Sequence, residues 1–452
     1  MNIDSFRISG MNNIYAIGLS DSLITIHSQQ TRAICLARML SMELEGKKSP
    51  KKSICIVGGG IAGLTCSLEL LQQGWTDITI LERMPDLLGV QNGCDTRWVH
   101  PHIINWPDAG SENEKSDNGV LDWEASTASN VTYQIEKDWL SGVNSLINKS
   151  RRGRPDRVLS LHVGVTYIYM RIVGSEVEAE WVRDSSVQPM SVKGGKVCNS
   201  EKRKYDYVVF ASGFGIEQNS KYSYWRNEGY GQLHIDGLQR SYIVSGFGDG
   251  AISDLLRLTT KHFRPDRIIK EMSALEKLRP QLQGIKNRSA LEGFDLMGEF
   301  LSSSQSKGIV GGHWKDFIEN IGARKRQDTK VYLQYRLREG FSAAFNQSKA
   351  SFFNKLMLFA LYKNGAFQYI DGSGGDDVYE FASRNDIPKE NVILRRGVDR
   401  QEIVQNMLEQ NPGEVLFKLQ SYSDCKKYVD ATNSKGATKD FYWLMSANMQ
   451  MR

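Results

Sequence analysis

The sequence predicts an α/β protein built on a parallel, doubly wound sheet, followed by a mixed α+β C-terminal region. Three observations lead there. Residues 53–82, SICIVGGGIAGLTCSLELLQQGWTDITILE, pass from an apolar β-branched run through a G-x-G-x-x-G turn into an apolar-striped helix, then into a second apolar run that closes on an acid. Two later runs, YVVFASG and SYIVSGFGDG, end in glycine turns of the same kind. Before the first of these two runs the period changes from helical to alternating, as expected for a small antiparallel meander.

Taken in order, Leu23 to His27 reads as a short strand, with Ser28 capping a helix from Gln29 to about Glu45. Ile34, Leu36, Ala37, Leu40 and Leu44 give that helix an apolar stripe, so residues 1–50 are expected to dock as a strand-helix extension. The charged linker EGKKSPKK marks the start of the next unit.

Ser53–Val57 is the first strand of that unit, apolar enough to be buried on both faces. Gly58 permits a tight turn, Gly60 admits a pyrophosphate to the backbone, and Gly63 lets the helix pack on the strand. Ile61 and Ala62 open the helix, whose free N–H groups and positive dipole end face the phosphates. Leu64, Leu68, Leu70 and Leu71 form its apolar side, Gly74 stops it, and Ile78, Ile80 and Leu81 lead to Glu82, 19 residues beyond Gly63. A carboxylate at that point sits beside the ribose of an adenosine whose pyrophosphate rests on the turn. The combination predicts dinucleotide binding over an ordinary glycine loop.

The stretch from Met84 to Trp123 is rich in Gly, Pro, Asn and Asp and carries three tryptophans, a composition that suits a functional loop. Its candidates for a reactive site are Gln91, Cys94, Arg97, His100 and His102. The two histidines have three readings: metal ligands if acidic partners arrive from elsewhere, hydrogen-bonded structural groups, or general acid/base groups. No partner spacing for a metal is visible, and none is expected.

A helix is expected over Ala128–Ile147, with Val131, Ile135, Trp139 and Ile147 on one side. Strands follow at Leu159–Arg171, Glu176–Arg183 and Gly195–Cys198, then a buried strand at Tyr207–Ala211 that turns at Ser212 and Gly213. Ser241–Ser245 is a third such strand; Gly246, Gly248 and Gly250 form its turn, with Asp249 inside it and a helix from near Ala251. Beyond it, helices are expected at Ile268–Leu278 with Pro280 as a stop, Leu291–Leu301, Phe352–Lys363 and Glu402–Leu408. Strands are expected at Val331–Tyr335, Phe367–Ile370 and Val392–Leu394. GSGGDD, 372–377, reads as a flexible turn rather than a cation or phosphate contact.

Composition bounds the function. At 452 residues, 40% hydrophobic and 24% charged, with a mean hydropathy of −0.41, the chain has the make-up of an ordinary globular protein of two or three domains. No run is apolar enough for a membrane span, and the first residues lack a signal-peptide core, so a cytoplasmic location is expected. The six cysteines form no C-x-x-C pair, which argues against a zinc ribbon or a dithiol centre. The net charge of +5 is mild. Basic clusters at 257–288 and 324–326 read as solvated helix faces, so nucleic acid is not an expected partner; a flavoenzyme acting on RNA is the weaker alternative they raise.

Over about residues 50 to 262 these motifs resemble the FAD-binding domain of the two-dinucleotide-fold flavoprotein superfamily, which includes glutathione-reductase-like and amine-oxidase-like enzymes. The resemblance rests on the glycine turn with Glu82 and Arg83, the meander, the VVFASG strand and the SGFGDG segment. It implies a Rossmann-like FAD domain over 51–262, with an active-site loop and helix at 84–150, and a substrate- or partner-facing region over 263–452. By resemblance, Gly58, Gly60, Ile61, Ala62 and Gly63 hold the pyrophosphate, and Glu82 and Arg83 the adenosine end. Ser212, Gly213, Gly248 and Asp249 complete the FAD site, with Asp249 on the ribityl chain. Arg97 is expected to orient an anionic group or stabilise charge at the flavin, and His100 or His102 to handle a proton. Gly213 and Gly246 are 33 residues apart, which leaves no room for an inserted NAD(P)H unit; NAD(P)H then remains a transient reductant meeting the flavin from the surface. The implied function is an FAD-dependent oxidoreductase of oxidase, dehydrogenase or monooxygenase type acting on a small molecule. The alternative is a non-catalytic or sensory flavoprotein working through a protein partner.

Overall fold

In the computed structural model, residues 2–18, 24–44, 53–150, 158–184, 200–213, 223–335, 340–372, 377–397 and 421–434 are described. They form two α/β units, each on its own parallel sheet.

The first unit uses β1 (Ile14–Ala16), α1 (Ile26–Leu44), β2 (Ser53–Val57), α2 (Ile61–Gln72), β3 (Asp77–Leu81) and the short pair β4 (Trp98–Val99) and β5 (Ser126–Thr127). It continues through α3 (Ala128–Ser150), β6 (Val158–His162), β7 (Val165–Val173), β8 (Glu176–Arg183), β9 (Ser200–Tyr205) and β10 (Tyr207–Phe210). Its sheet runs β1-β10-β2-β3-β6, all parallel. Strand geometry alternates side chains between faces, so Ile54, Ile56, Ile78, Ile80 and Val209 pack under the helices, while Cys55, Val57, Leu81, Val208 and Phe210 pack against the β7-β8-β9 meander. Burial on both faces is the reason these strands read as continuous apolar runs.

Several sequence expectations shift here. Ile26 and His27 begin α1 instead of ending a strand; Leu23 lies outside the described residues. The cap is reciprocal: the Ser28 N–H donates to Thr25 Oγ1 at 3.0 Å, and the Thr25 N–H to Ser28 Oγ at 2.9 Å. The strand expected over Leu159–Arg171 is two, because Gly164 takes a φ of +68° and sends β6 into the parallel sheet and β7 into the meander. Gly195–Cys198 falls outside the described residues, and the third meander strand is β9.

The second unit contains β11 (Arg240–Ser245), α4 (Asp249–Thr259), α5 (Pro265–Glu271), α6 (Ser273–Arg288), α7 (Leu296–Ser304), α8 (Gly308–Ala323) and β12 (Thr329–Tyr335). Then come α9 (Ala343–Asn346), α10 (Phe352–Lys363), β13 (Gln368–Asp371), α11 (Val378–Arg384) and β14 (Val392–Leu394). All four strands are parallel in the order β13-β12-β11-β14. Val244, Val331, Leu333 and Ile393 pack on one face under α4, α6, α8 and α10, and Ile243, Tyr332 and Leu394 meet α11 on the other.

Pro280 sits inside α6, not at its end, because the buried stripe Leu275, Leu278, Leu282 and Ile285 carries the helix past it. The helix expected at Leu291–Leu301 starts at Leu296, where Asp295 caps it by accepting from the Gly298 N–H. Glu402–Leu408 and most of GSGGDD lie outside the described residues.

The largest difference concerns the third glycine-ended strand. Ser241–Ser245 does not join the first sheet; the place beside β10 is taken by β1, from the N-terminal segment. The boundary expected at 262 therefore falls inside the second unit, and residues 1–50 contribute a strand to the first sheet.

The loop after β3 straps the two units together. Trp123 donates from Nε1 to Gln30 Oε1 of α1 at 2.7 Å, while Trp106 packs against Phe353 of α10 with ring centroids 5.6 Å apart. Arg279 of α6 donates to the carbonyls of Pro107 and Asp108, each at 2.9 Å. A last helix, α12 (Tyr422–Ser434), lies on α1 through Cys425, Tyr428 and Val429.

Candidate functional site

The turn between β2 and α2 is built by exclusion. A Cβ at Gly58, whose φ is +116°, would lie 2.4 Å from the Ala211 carbonyl oxygen, and a Cβ at Gly63 would lie 1.9 Å from the carbonyl oxygen of Gly58. Neither position admits a side chain. Gly60 differs: at a φ of −82°, a Cβ there meets nothing within 4 Å. Gly60 is also the N-cap of α2 and supplies no side-chain cap to the first N–H groups of the helix. Ile61 and Ala62 are buried behind them.

Glu82 steadies this turn. One carboxylate oxygen accepts from the Gly59 N–H and the other from the Met84 N–H, both at 2.6 Å. A carboxylate oxygen can take more than one donor, so capacity remains for hydroxyls. Arg83 is exposed beside it. Across the turn, Ser212 Oγ is buried without a hydrogen-bond partner among the described residues, and Gly213 follows at a φ of +66°. A shallow cavity of about 270 Å³, lined by Met84, Pro85, Asp86, Gly89, Asn92 and Gly93, opens next to Glu82 but does not include the glycine turn.

The open face at Gly60, the uncapped helix end and the orphaned Ser212 hydroxyl fit the diphosphate of an adenine dinucleotide. The end of β1 adds a third element the sequence reading missed. The Ile17 N–H donates to the Phe210 carbonyl at 2.9 Å, and Gly18 turns at a φ of +68° against the buried Gln29. IYAIG carries the signal, a short apolar run before a glycine, but three residues are too few to show a period.

Gly248 and Asp249 stand elsewhere, at the head of the second sheet. Asp249 is turned into the N-terminus of α10, where one carboxylate oxygen accepts from the Ser351 N–H at 2.8 Å and from Asn354 Nδ2 at 2.7 Å. Burial raises its pKa, against those hydrogen bonds. The expected ribityl contact is thus a helix-terminus anchor within the second unit.

The loop candidates also separate. Arg97 is buried in an ion cluster with Asp254 and Glu228, its guanidinium 3.6 Å from the Tyr224 ring centroid. His100 Nδ1 accepts from the N–H groups of His102 and Ile103 at 3.2 and 3.1 Å, which keeps the ring neutral; burial lowers its pKa to about 4. His102 Nε2 donates to the Lys115 carbonyl at 2.9 Å, and its ring meets His27 edge-on at 4.6 Å. Each ring is thus hydrogen-bonded to the backbone of its own loop. Cys94 is buried, which raises its thiol pKa, and its N–H donates to the Gln91 carbonyl at 3.1 Å.

Residues 53–148 match the family described as FAD dependent oxidoreductase. The match covers 96 of the 452 residues. The subunit HisH of imidazole glycerol phosphate synthase from Caldanaerobacter subterraneus is 26% identical over 100 residues, 22% of this chain and 49% of that protein. The chain thus spans about half the length of the curated relative it matches. Among solved structures, the FAD-bound cadaverine monooxygenase of desferrioxamine biosynthesis from Erwinia amylovora is 17% identical, with a TM-score of 0.24 over 39% of this chain and 38% of that one. A lysine monooxygenase from Nocardia farcinica is 17% identical, with a TM-score of 0.19 over 39% of this chain and 35% of that one. No helix of the described residues is long and apolar enough to cross a membrane.

Proposed function

We propose that the chain is an FAD-dependent oxidoreductase, of oxidase, dehydrogenase or monooxygenase type, acting on a small-molecule substrate in the cytoplasm. The observation that carries this reading is the β2–α2 turn, shut to side chains at Gly58 and Gly63 and open at Gly60, within the segment that matches FAD dependent oxidoreductases. FAD, when bound, supplies the hydride and electron chemistry. The chain's own residues bind and orient. The N–H groups at the head of α2 face the diphosphate, Glu82 holds the turn and accepts from ribose hydroxyls, and Ser212 donates its free hydroxyl. Arg97 is a positioning residue between the two units, and His100 and His102 shape the loop that joins them.

The test is spectroscopic. The purified chain is expected to show a flavin spectrum that bleaches under a candidate amine, amino acid or reduced nicotinamide nucleotide and returns in air. A protein that takes up no FAD from millimolar solution removes the reading, and one whose bound flavin no reductant bleaches removes its catalytic half.

A further inference from the structure

We propose that two copies of this chain associate edge to edge through β7, antiparallel, so that their meanders join into one six-stranded sheet. The inference is independent of what the glycine turns bind.

Among the described residues β7 pairs with β8 alone, at one side of the three-stranded meander. Along its other side, backbone N–H and C=O groups point away from the sheet. Proteins ordinarily blunt such an edge by keeping it short, by setting lysine or proline in it, or by bulging it out of line. VTYIYMRIV, residues 165–173, is nine residues long and holds neither lysine nor proline. Its one irregularity lies between Val165 and Tyr167. From Tyr167 to Val173 the pairing with β8 is regular, and Gly174, at a φ of +65°, ends it. Two tyrosines, two isoleucines and a valine make that stretch a strong strand former.

Two observations point to a second copy as the occupant. The first is length. The regular stretch is centred on Met170, so a two-fold axis beside Met170 lays it against itself with nothing overhanging at either end. In that register Tyr167 faces the partner's Val173, Ile168 faces the partner's Ile172, and Tyr169 faces the partner's Arg171. The facing residues supply roughly six to eight N–H···O=C bonds.

The second observation is charge. Arg171 is the one charged side chain in the stretch, and this register sets it beside a tyrosine, whose ring attracts a guanidinium. An axis at Arg171 would instead oppose two arginines, which disfavours that register. Glu178 of β8 accepts from Arg171 Nε at 2.6 Å, so the tyrosine ring meets a side chain already fixed on the outer face of the meander. On the inner face, Ile168 and Ile172 pack against the cluster of Met170, Val177 and Trp181 yet remain half-buried. Each would be covered by the other from the second copy. Tyr167, 54% exposed on the outer face, would gain the partner's Val173 in the same way.

The test uses the full chain. Sedimentation from about 1 to 100 μM is expected to show monomer passing into a species of twice the mass. Hydrogen exchange at the two ends of that range is expected to show amides within 167–173 gaining protection in the dimer, while those of 200–205, on the opposite edge of the meander, do not change. Ile172→Lys sets an inward-pointing charge on the edge and is expected to weaken association tenfold or more while the monomer stays folded. Should that variant not fold, the exchange pattern of the unaltered protein decides. A chain that remains monomeric at 100 μM leaves the edge to a strand from another protein and overturns the proposal. So does a dimer that brings no new protection to 167–173, or a folded Ile172→Lys protein that dimerises unchanged.

Discussion

Arg97 and Asp254, 157 residues apart in the chain, meet side on: Nη1 reaches Oδ1 at 2.9 Å and Nη2 reaches Oδ2 at 3.4 Å. The arginine comes from the loop after β3 and the aspartate from α4, so the pair fastens one unit to the other. Burial works against both charges. For Arg97 it is outweighed by Tyr224, Asp254 and Glu228, and for Asp254 by Arg97, Arg395 and Arg257.

Arg97→Met removes one cation from a cluster that keeps two, so Asp254 is not stranded. A loss of about 3 kcal/mol is expected, at the low end for breaking a buried pair, because Arg395 and Arg257 remain. Asp254→Ala is expected to cost more, since it leaves three guanidinium groups to one carboxylate. Denaturant midpoints check the order; an Arg97→Met protein as stable as the unaltered chain would show the pair to be idle.

Gly60→Ala and Gly63→Ala differ by one methyl group in each case and are expected to fail in different ways. The first fits the empty protein and is expected to change stability by about 1 kcal/mol or less, yet to lose bound flavin. The second drives a methyl into the Gly58 carbonyl and is expected to destabilise by about 1–3 kcal/mol or more. Flavin absorbance per folded chain, set beside the melting temperature, separates them; flavin retained in full by Gly60→Ala would count against the site.

Asp249→Asn keeps an acceptor for Ser351 and removes a charge that burial disfavours. The variant is expected to retain its flavin in full and to shift stability by about 1 kcal/mol. Loss of flavin on this substitution would place Asp249 back at the first site.

Three buried imidazoles set the acid limit of the fold. Burial lowers His27 to about 3 and His100 and His162 to about 4, against 6.5 for the ordinary group. Between those values the unfolded chain binds protons that the folded one refuses, so stability falls as pH drops from about 6.5 toward 4. The slope is about 1.4 kcal/mol per pH unit for each histidine. Asp328, lowered to about 2 with Arg326 and the His234 N–H overcoming burial, adds stability that is lost only below about pH 3.8. Urea midpoints at pH 7.5 and 5 measure the slope, and His162→Gln is expected to flatten it. Equal midpoints at the two pH values would contradict the assignment.

The glycine turn of the first unit, the two-faced burial of β2 and the place of Glu82 were legible from residues 53–82 because each depends on near neighbours. A left-handed φ at Gly58, an apolar run, and a helix stripe are properties of adjacent residues. What the amino-acid order could not supply was which strands pair. Backbone ladders are indifferent to side-chain identity, so SYIVS before a glycine turn looks the same whether it extends the first sheet or founds a second. The three residues of β1 were too short to announce that they hold the place beside β10. The partners of Arg97 and Asp249 were hidden for the same reason: Asp254, Ser351 and Asn354 are near only once two separate sheets have formed and the loop after β3 has joined them.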